Sequence, residues 1–196
     1  MLIGANKTLQ EQIETLHKII KSDDELYSVL VRLSKLNLPN YYVGAGCIAQ
    51  SVWNYLYACE IGYGINDVDI VYFDSDISVE KERRVIEYIT NELPNTRYTL
   101  DIKNQARVYV WYGEKFGYPC AKYKSTEEAI NTWPSTATSI GVKLEKGIFK
   151  VYAPYGMNDM FNGIVRPNKT LISKEIHDNK SKSWSDRWPS LTVVKW

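Results

Sequence analysis

The chain has 196 residues, 44% of them hydrophobic, and its 24 basic and 23 acidic residues leave a formal net charge of +1. This composition excludes intrinsic disorder, which combines low hydrophobicity with high net charge, and it argues against extended contact with duplex DNA, which leaves a basic footprint. The three cysteines form no C-x-x-C pair and only two histidines are present, which argues against a zinc site or a disulfide framework. We expect a single domain in a reducing, cytoplasmic compartment, because no stretch approaches the ~18 apolar residues of a membrane span and the pattern of a signal peptide is missing.

Two amphipathic helices are predicted before residue 40. Thr8 and Glu11 form a capping-box pattern, and Ser22 and Glu25 form a second one. Apolar residues recur at helical spacing after each start, and Pro39 ends the second helix. The apolar faces are expected to pack in the core, and nothing in either helix suggests chemistry.

The next segment predicts a strand, a glycine turn and a helix. Residues 41–43 form the strand, and Gly44, Ala45 and Gly46 form the turn, after which apolar residues recur at helical spacing until Gly62. Glycine lets the backbone approach a ligand closely, and the free N–H groups where a helix begins attract phosphate oxygens. We therefore expect the three turn residues to cradle phosphate.

A pair of aspartates opens the strand predicted over residues 68–73. Asp67 and Asp69 are two residues apart, so their carboxylates share one face, about 6.6 Å apart along a strand, while Val68 and Ile70 enter the core from the other face. Adjacent carboxylates repel each other unless a cation neutralises them, and their hard oxygens suit Mg²⁺. Two such ions, about 3.5–4 Å apart, can activate an attacking oxygen and hold a triphosphate.

The remaining elements are predicted from their apolar patterns and turn residues. They are a helix over residues 79–92 that breaks at Pro94, strands over 97–103 and 107–112, a short helix opened by Ser125, and a hairpin of residues 136–144 and 148–152. Residues 153–196 have little periodicity, and we expect an irregular but ordered tail packed around the core. The lysines between positions 174 and 182 are expected to be solvated.

A third carboxylate is expected from the strand over residues 97–103. Its alternate apolar residues share one face, so Asp101 points away from the core, as a metal ligand or a base would. Asp74 is the rival, but it lies an odd number of residues from Asp69, and an uninterrupted strand would turn it to the opposite face. Asp101 is therefore the predicted partner of the aspartate pair.

The order of glycine turn, helix and Asp-x-Asp strand, with a carboxylate on a later strand, resembles the nucleotidyltransferase superfamily typified by DNA polymerase beta. More narrowly, the chain is similar to a family of bacterial nucleotidyltransferase-like proteins of about this length. The matching segments are YYVGAGCIAQSVWN, INDVDIVYFD, NQARVYVWYGEKFGYP, EAINTWPSTATSIG, VYAPYGMNDMF and RPN. The resemblance implies an α+β fold, in which a mixed-sheet core over residues 40–152 is flanked by helices, preceded by the two helices of residues 1–39 and followed by the tail of residues 153–196.

The resemblance also implies the chemistry. The expected reaction transfers a nucleoside monophosphate from a nucleoside triphosphate (NTP) to an unknown acceptor, with release of pyrophosphate and with Mg²⁺ or Mn²⁺ as cofactor. The acceptor would be a small molecule, an RNA or a protein. Asp67 and Asp69 would hold the metals, and Asp101 would ligate one metal and help to deprotonate the acceptor.

Two further features bear on this expectation. Candidate cations for the triphosphate are Lys103, Arg107 and Arg166, and Trp111 is a candidate to stack on a base. The chain departs from the superfamily at Ala45, where Gly or Ser is usual and where no hydroxyl is available to a phosphate. The segment between Gly46 and Asp67 is also longer than usual, so the helix or the loop after it must be extended.

Two other functions fit parts of the pattern. Residues 44–49 (GAGCIA) fit the G-x-G-x-x-A fingerprint of dinucleotide-binding proteins, and Asp74 ends the next strand where a ribose-binding acid would lie. A nicotinamide- or adenosylmethionine-binding enzyme of Rossmann type is therefore one alternative, although two helices precede the first strand. A catalytically inactive module that binds nucleotides is the other alternative, and the altered glycine turn keeps it open.

Overall fold

A computed structural model describes residues 4–93 and 95–196; Pro94, the predicted helix break, lies outside the described residues. The α-helices are α1 (Leu9–Lys21), α2 (Asp24–Leu33), α3 (Gly46–Leu56), α4 (Val79–Glu92), α5 (Val108–Phe116), α6 (Thr126–Ile130), α7 (Asn158–Phe161) and α8 (Lys174–Arg187). The strands are β1 (Tyr42–Gly44), β2 (Asp67–Tyr72), β3 (Thr99–Asn104), β4 (Gly141–Glu145), β5 (Ile148–Tyr152), β6 (Ile164–Val165) and β7 (Thr192–Val193). Within the described ranges, no helix is both long and apolar enough to cross a membrane.

The central sheet is mixed and has the strand order β3-β2-β1-β4-β5. Strands β2 and β3 run parallel, whereas the β1–β2, β1–β4 and β4–β5 pairs are antiparallel. The parallel register places Asp69 opposite Asp101, and the antiparallel register places Gly44 opposite Asp69. This sheet with its surrounding helices confirms the predicted α+β fold.

The two faces of β2 have different environments, as the two-residue period of a strand requires. Val68, Ile70 and Tyr72 are fully buried in the main core together with apolar residues of α1, α2 and α3. The opposite face carries the aspartates and Val71, and Val71 belongs to a smaller apolar cluster with residues of β1 and α6. Burial of one face of β2 therefore fixes the position of the strand, and the aspartates on its other face can line a pocket.

The helix starts follow the predicted capping logic with one correction. Thr8 caps α1, and its side chain and that of Glu11 form the reciprocal capping box. Ser22 was expected to cap α2, but the capping residue is Asp23, whose carboxylate accepts a hydrogen bond of 3.1 Å from the Leu26 N–H. An aspartate there provides the same acceptor as a serine and adds a favourable charge at the helix N-terminus.

The segment over residues 107–112 was predicted as a strand and is instead helical. Asn104 ends β3 and its side chain accepts a hydrogen bond from Ala106 N–H, which starts a short 3-10 turn that leads into α5. Val108 and Tyr112, four residues apart, are buried, whereas Val110 between them is 54% exposed. This burial has the period of a helix, so the local capping by Asn104 outweighed the β-propensity of the aromatic and branched residues.

The predicted irregular tail contains a regular element. Ser173 caps α8 through a hydrogen bond from the Ile176 N–H, and the helix buries His177, Ser181 and Trp184 on one face. Two of these three buried residues are polar, so the face did not produce a hydrophobic period in the sequence. Consequently α8 packs on the protein as ordered structure, and Trp184 contacts the ring of Trp53 in α3.

Candidate active site

Three carboxylates from neighbouring strands meet on the open face of the sheet. Asp67 and Asp69 lie on β2 and Asp101 lies on β3, and ligand oxygens of all three lie within 4.8 Å of one another. Asp67 is exposed, while the other two are partly buried. The distances between these oxygens are therefore small enough for the three carboxylates to coordinate one cation.

The three carboxylates are only partly compensated by positive charge, because Asp101 pairs with Lys103 and Asp69 has no ion pair among the described residues. Burial, together with the nearby charges of Asp67 and Asp101, raises the pKa of Asp69 to about 7, although Lys103 and Lys180 oppose this effect. A carboxyl group held in this way retains its proton up to neutral pH unless a cation arrives. Such a cluster is chemically suited to a hard divalent ion.

The glycine turn joins β1 to α3 immediately beside Asp69. A Cβ atom on Gly44 would lie 2.4 Å from the Ile140 carbonyl oxygen and 2.9 Å from the Trp133 ring, so only glycine fits there. Ala45 has φ 59° and ψ −130°, a backbone conformation that is strained for any residue with a side chain. The surrounding packing therefore fixes this turn in an unusual conformation.

The glycine turn offers fewer backbone N–H groups to an anion than its sequence suggests. The Ala45 N–H donates a hydrogen bond of 3.0 Å to the Ile140 carbonyl and is not directed at a ligand. The N–H groups of Gly46 and Cys47 begin α3, where a helix has no internal acceptors for them. An anion at this point would therefore contact the start of α3 rather than the whole turn.

A pocket of about 240 Å³ extends from the aspartate cluster. At one end it is lined by Asp69, Ala45 and Lys103. The other walls come from the aromatic residues of α5, from the segments before and after α6, and from the N-terminal half of α8, including Trp111, Tyr123, Trp133, Ile176 and Lys180. The acidic end and the aromatic walls therefore form one continuous site.

The three predicted cations have different environments. Lys103 lines the pocket and forms an ion pair with Asp101. Arg107 is buried outside the pocket lining and pairs with Glu82, and Arg166 pairs with a carboxylate of α7, Asp159, at 2.9 Å. The structure thus brings Lys103 to the aspartates and does not bring either arginine there.

Two lysines of the pocket wall were missed by the sequence reasoning. Lys115 lies on α5 and Lys180 lies on α8, and both line the same pocket as Asp69. No local motif marks either of them, because each reaches the site only through packing of its helix. Lys180 had been included among the lysines that we expected to be solvated.

The dinucleotide-binding alternative is wrong. Its fingerprint requires a parallel βαβ unit, whereas the glycine turn here connects β1 to β2 through α3 and these two strands are antiparallel. Asp74, the proposed ribose-binding acid, lies beyond β2 and is 3.7 Å from the ammonium of Lys81.

The loop between α3 and β2 is extended, as the spacing of Gly46 and Asp67 predicted.

Comparisons with known proteins agree with this geometry. Residues 31–193 match a protein family described as nucleotidyltransferase. Among solved structures, the chain is similar to a protein whose NMR structure reveals a CCA-adding enzyme head domain, with 24% identity and a TM-score of 0.75 over 97% of this chain and 99% of that chain. It is also similar to the Thermotoga maritima CCA-adding enzyme complexed with tRNA, with 16% identity and a TM-score of 0.55 over 92% of this chain and 42% of that chain. No curated protein matches the chain.

Proposed function

This chain belongs to the nucleotidyltransferase family, and from that premise we propose that it transfers a nucleoside monophosphate from an NTP to an acceptor hydroxyl, with release of pyrophosphate. The observation that carries the proposal is the convergence of Asp67, Asp69 and Asp101 within 4.8 Å. This cluster lies next to the N-terminus of α3, where backbone N–H groups attract phosphate. The two features together supply the cation-binding and anion-binding halves of a nucleotide site.

The donor set fits a divalent metal. Three carboxylates provide only oxygen ligands, which is the preference of Mg²⁺ and Mn²⁺, and burial with the nearby charges of Asp67 and Asp101 raises the pKa of Asp69. We propose that Asp67, Asp69 and Asp101 hold Mg²⁺ or Mn²⁺. When bound, such ions neutralise charge on the phosphates and activate the attacking oxygen.

The protein residues have separate parts in the proposed reaction. The acceptor oxygen attacks the α-phosphorus, the bond from that phosphorus to the oxygen bridging the β-phosphate breaks, and pyrophosphate leaves with the electron pair. Asp101 receives the hydroxyl proton of the acceptor, and its contact with Lys103 holds its carboxylate in place. The N–H groups of Gly46 and Cys47 orient a phosphate. Positioning and electrostatic stabilisation carry such transfers, because the protein forms no covalent bond to the phosphoryl group.

Three classes of acceptor are to be tested in this reaction: a small molecule, an RNA end and a protein side chain. One similar structure is a CCA-adding enzyme complexed with tRNA, so an RNA 3′ end is the first acceptor to test. A cytoplasmic location, as expected from the sequence, is part of the same proposal.

A catalytically inactive module that binds nucleotides is the second candidate. Ala45 favours it, since this residue offers no hydroxyl and its N–H is bonded to the Ile140 carbonyl. The two candidates share nucleotide binding and differ in turnover. They are separated by the measurement of pyrophosphate release.

The test combines binding and turnover. ATP, CTP, GTP and UTP are titrated calorimetrically with Mg²⁺ or Mn²⁺ into the wild type, and pyrophosphate release is followed with RNA, protein and small-molecule acceptors. Asp69→Asn should abolish metal-dependent binding and release. Asp74→Asn is the matched control, because Asp74 lies outside the cluster and pairs with Lys81. Metal-dependent binding without release from any NTP would favour the inactive module, and a wild type that binds no NTP would refute both candidates.

A further inference from the structure

The helix that follows the glycine turn carries no positive charge. Helix α3 has the sequence GCIAQSVWNYL, which contains neither lysine nor arginine. The donors at its N-terminus are backbone N–H groups, which carry only partial charges. A triphosphate has several full negative charges, and the three carboxylates already balance much of the charge of any ion that they would hold. Side chains from other elements must therefore supply the compensating positive charge.

Three lysines line the pocket, and one of them is already engaged by a carboxylate. Arg107 pairs with Glu82 and lies outside the pocket lining, and Lys103 pairs with Asp101. Lys115 and Lys180 differ from these, since neither forms an ion pair with a carboxylate within residues 4–93 and 95–196. They are therefore the lysines of the pocket wall that remain available to an anion.

The positions of these two lysines suit an anion that starts at the aspartate cluster. Both line the pocket that contains Asp69. The Lys115 ammonium lies 5.5 Å from the Trp111 ring centroid, and that of Lys180 lies 5.9 Å from the Trp184 ring centroid. Aromatic rings attract an ammonium weakly and leave its N–H donors free for a stronger acceptor.

We propose that Lys115 and Lys180 bind the β- and γ-phosphates of the NTP, so that α8 forms part of the nucleotide site. The proposal rests on the proposed function and extends it to named residues. It assigns a role to the C-terminal segment, because Lys180 of α8 lines the same pocket as Asp69 of β2. Ammonium–phosphate contacts of this type are charge-assisted hydrogen bonds, which are about twice as strong as neutral ones.

Inorganic tripolyphosphate is the probe, because it has the charges of the NTP tail and no base. Its affinity is measured calorimetrically with Mn²⁺ present for the wild type, Lys115→Gln, Lys180→Gln and the double variant. Each single substitution should weaken binding by about 10-fold, which is the usual effect of one charge-assisted hydrogen bond. Lys182→Gln is the matched control, since Lys182 lies on the same helix but is 75% exposed and pairs with Asp186 at 2.7 Å; it should bind as the wild type does.

Two further measurements separate an anion-binding role from a structural one. Lys180→Arg keeps the charge and should retain most of the affinity, whereas a merely structural role of the side chain would not be rescued in this way. The affinity for Mn²⁺ alone, followed by electron paramagnetic resonance, should not fall in the lysine variants but should fall in Asp69→Asn. Binding of the metal alone should not require the lysines, because the metal contacts carboxylates and the phosphate tail contacts ammonium groups.

The proposal is overturned if the double variant binds tripolyphosphate as tightly as the wild type, or if Lys180→Arg loses as much affinity as Lys180→Gln. Failure of the proposed function has a different signature. In that case no NTP releases pyrophosphate, while the lysine variants still lose tripolyphosphate binding and Lys182→Gln does not. Such an outcome would keep the anion site and remove only the transfer reaction.

Discussion

The crowding of three carboxylates should make the metal-free protein less stable as the pH rises. Asp69 releases its proton near pH 3.8 in an unfolded chain and at about 7 in the folded protein. Between these values the folded state binds more protons than the unfolded state, so the free energy of unfolding falls as the pH increases through this window and stays low above it. At ~1.4 kcal/mol for each unit of pKa, the shift of Asp69 lowers the free energy of unfolding by at most about 4 kcal/mol. Solvent screening at this partly exposed site reduces the loss to about 2 kcal/mol.

Asp69→Asn removes the charge and nearly preserves the shape of the side chain. At pH 8 in EDTA, the variant should be about 2 kcal/mol more stable than the wild type, which corresponds to a Tm higher by roughly 4–8 °C for a chain of this size. At pH 4 the two proteins should differ little, because the folded wild type is then protonated at Asp69. Addition of Mn²⁺ at pH 8 should raise the Tm of the wild type and leave that of the variant unchanged.

Differential scanning calorimetry of both proteins at pH 4 and pH 8, with EDTA or Mn²⁺, measures these differences. Carboxylates that do not interact with Asp69 titrate in the same range, and their contributions cancel in the comparison of the two proteins at one pH. Asp74→Asn should follow the wild type in all four conditions. The reasoning is refuted if Asp69→Asn in EDTA gains no stability relative to the wild type between pH 4 and pH 8.

Three further predictions concern the glycine turn and the metal site. Gly44→Ala should lower the free energy of unfolding by about 1–3 kcal/mol in urea titrations, because the new Cβ would lie 2.4 Å from the Ile140 carbonyl oxygen; an unchanged midpoint would contradict this contact. Ala45→Gly should raise the free energy of unfolding in the same titrations by about 1 kcal/mol, since glycine adopts φ 59° and ψ −130° without strain. A less stable variant would show that the turn is not strained. The affinity for Mn²⁺ should increase by about 10-fold per pH unit between pH 5 and 7 and then level off, because the metal displaces a proton from Asp69; an affinity independent of pH would contradict a ligand with a raised pKa.

Local spacing was sufficient for much of the candidate site. The two-residue separation of Asp67 and Asp69 placed both carboxylates on one face of β2, and the same rule turned Asp101 away from the core. The turn between β1 and α3 was recognisable from Gly44 and Gly46, because few other residues permit such a turn. These features depend on backbone geometry within a few residues, and a sequence carries that information directly.

The local sequence pattern led to a wrong secondary-structure prediction where two local preferences competed. Residues 107–112 have the composition of a strand, but capping by Asn104 and the buried pair of Val108 and Tyr112 produce α5. The same limitation hid α8, whose buried face includes His177 and Ser181. In both cases the packing partners of the helix, rather than the hydrophobicity of its own residues, determine which face is buried.

Only the tertiary structure decided which charges share the pocket. The parallel pairing of β2 with β3 places Asp101 opposite Asp69, and the packing of α5 and α8 brings Lys115 and Lys180 to the same pocket, while Arg107 and Arg166 are neutralised by Glu82 and Asp159. The sequence by itself determined the types and local orientation of the acidic residues. It did not determine their cationic partners, because the free energy of an ion pair depends on the distance and burial of two side chains that packing of remote segments brings together.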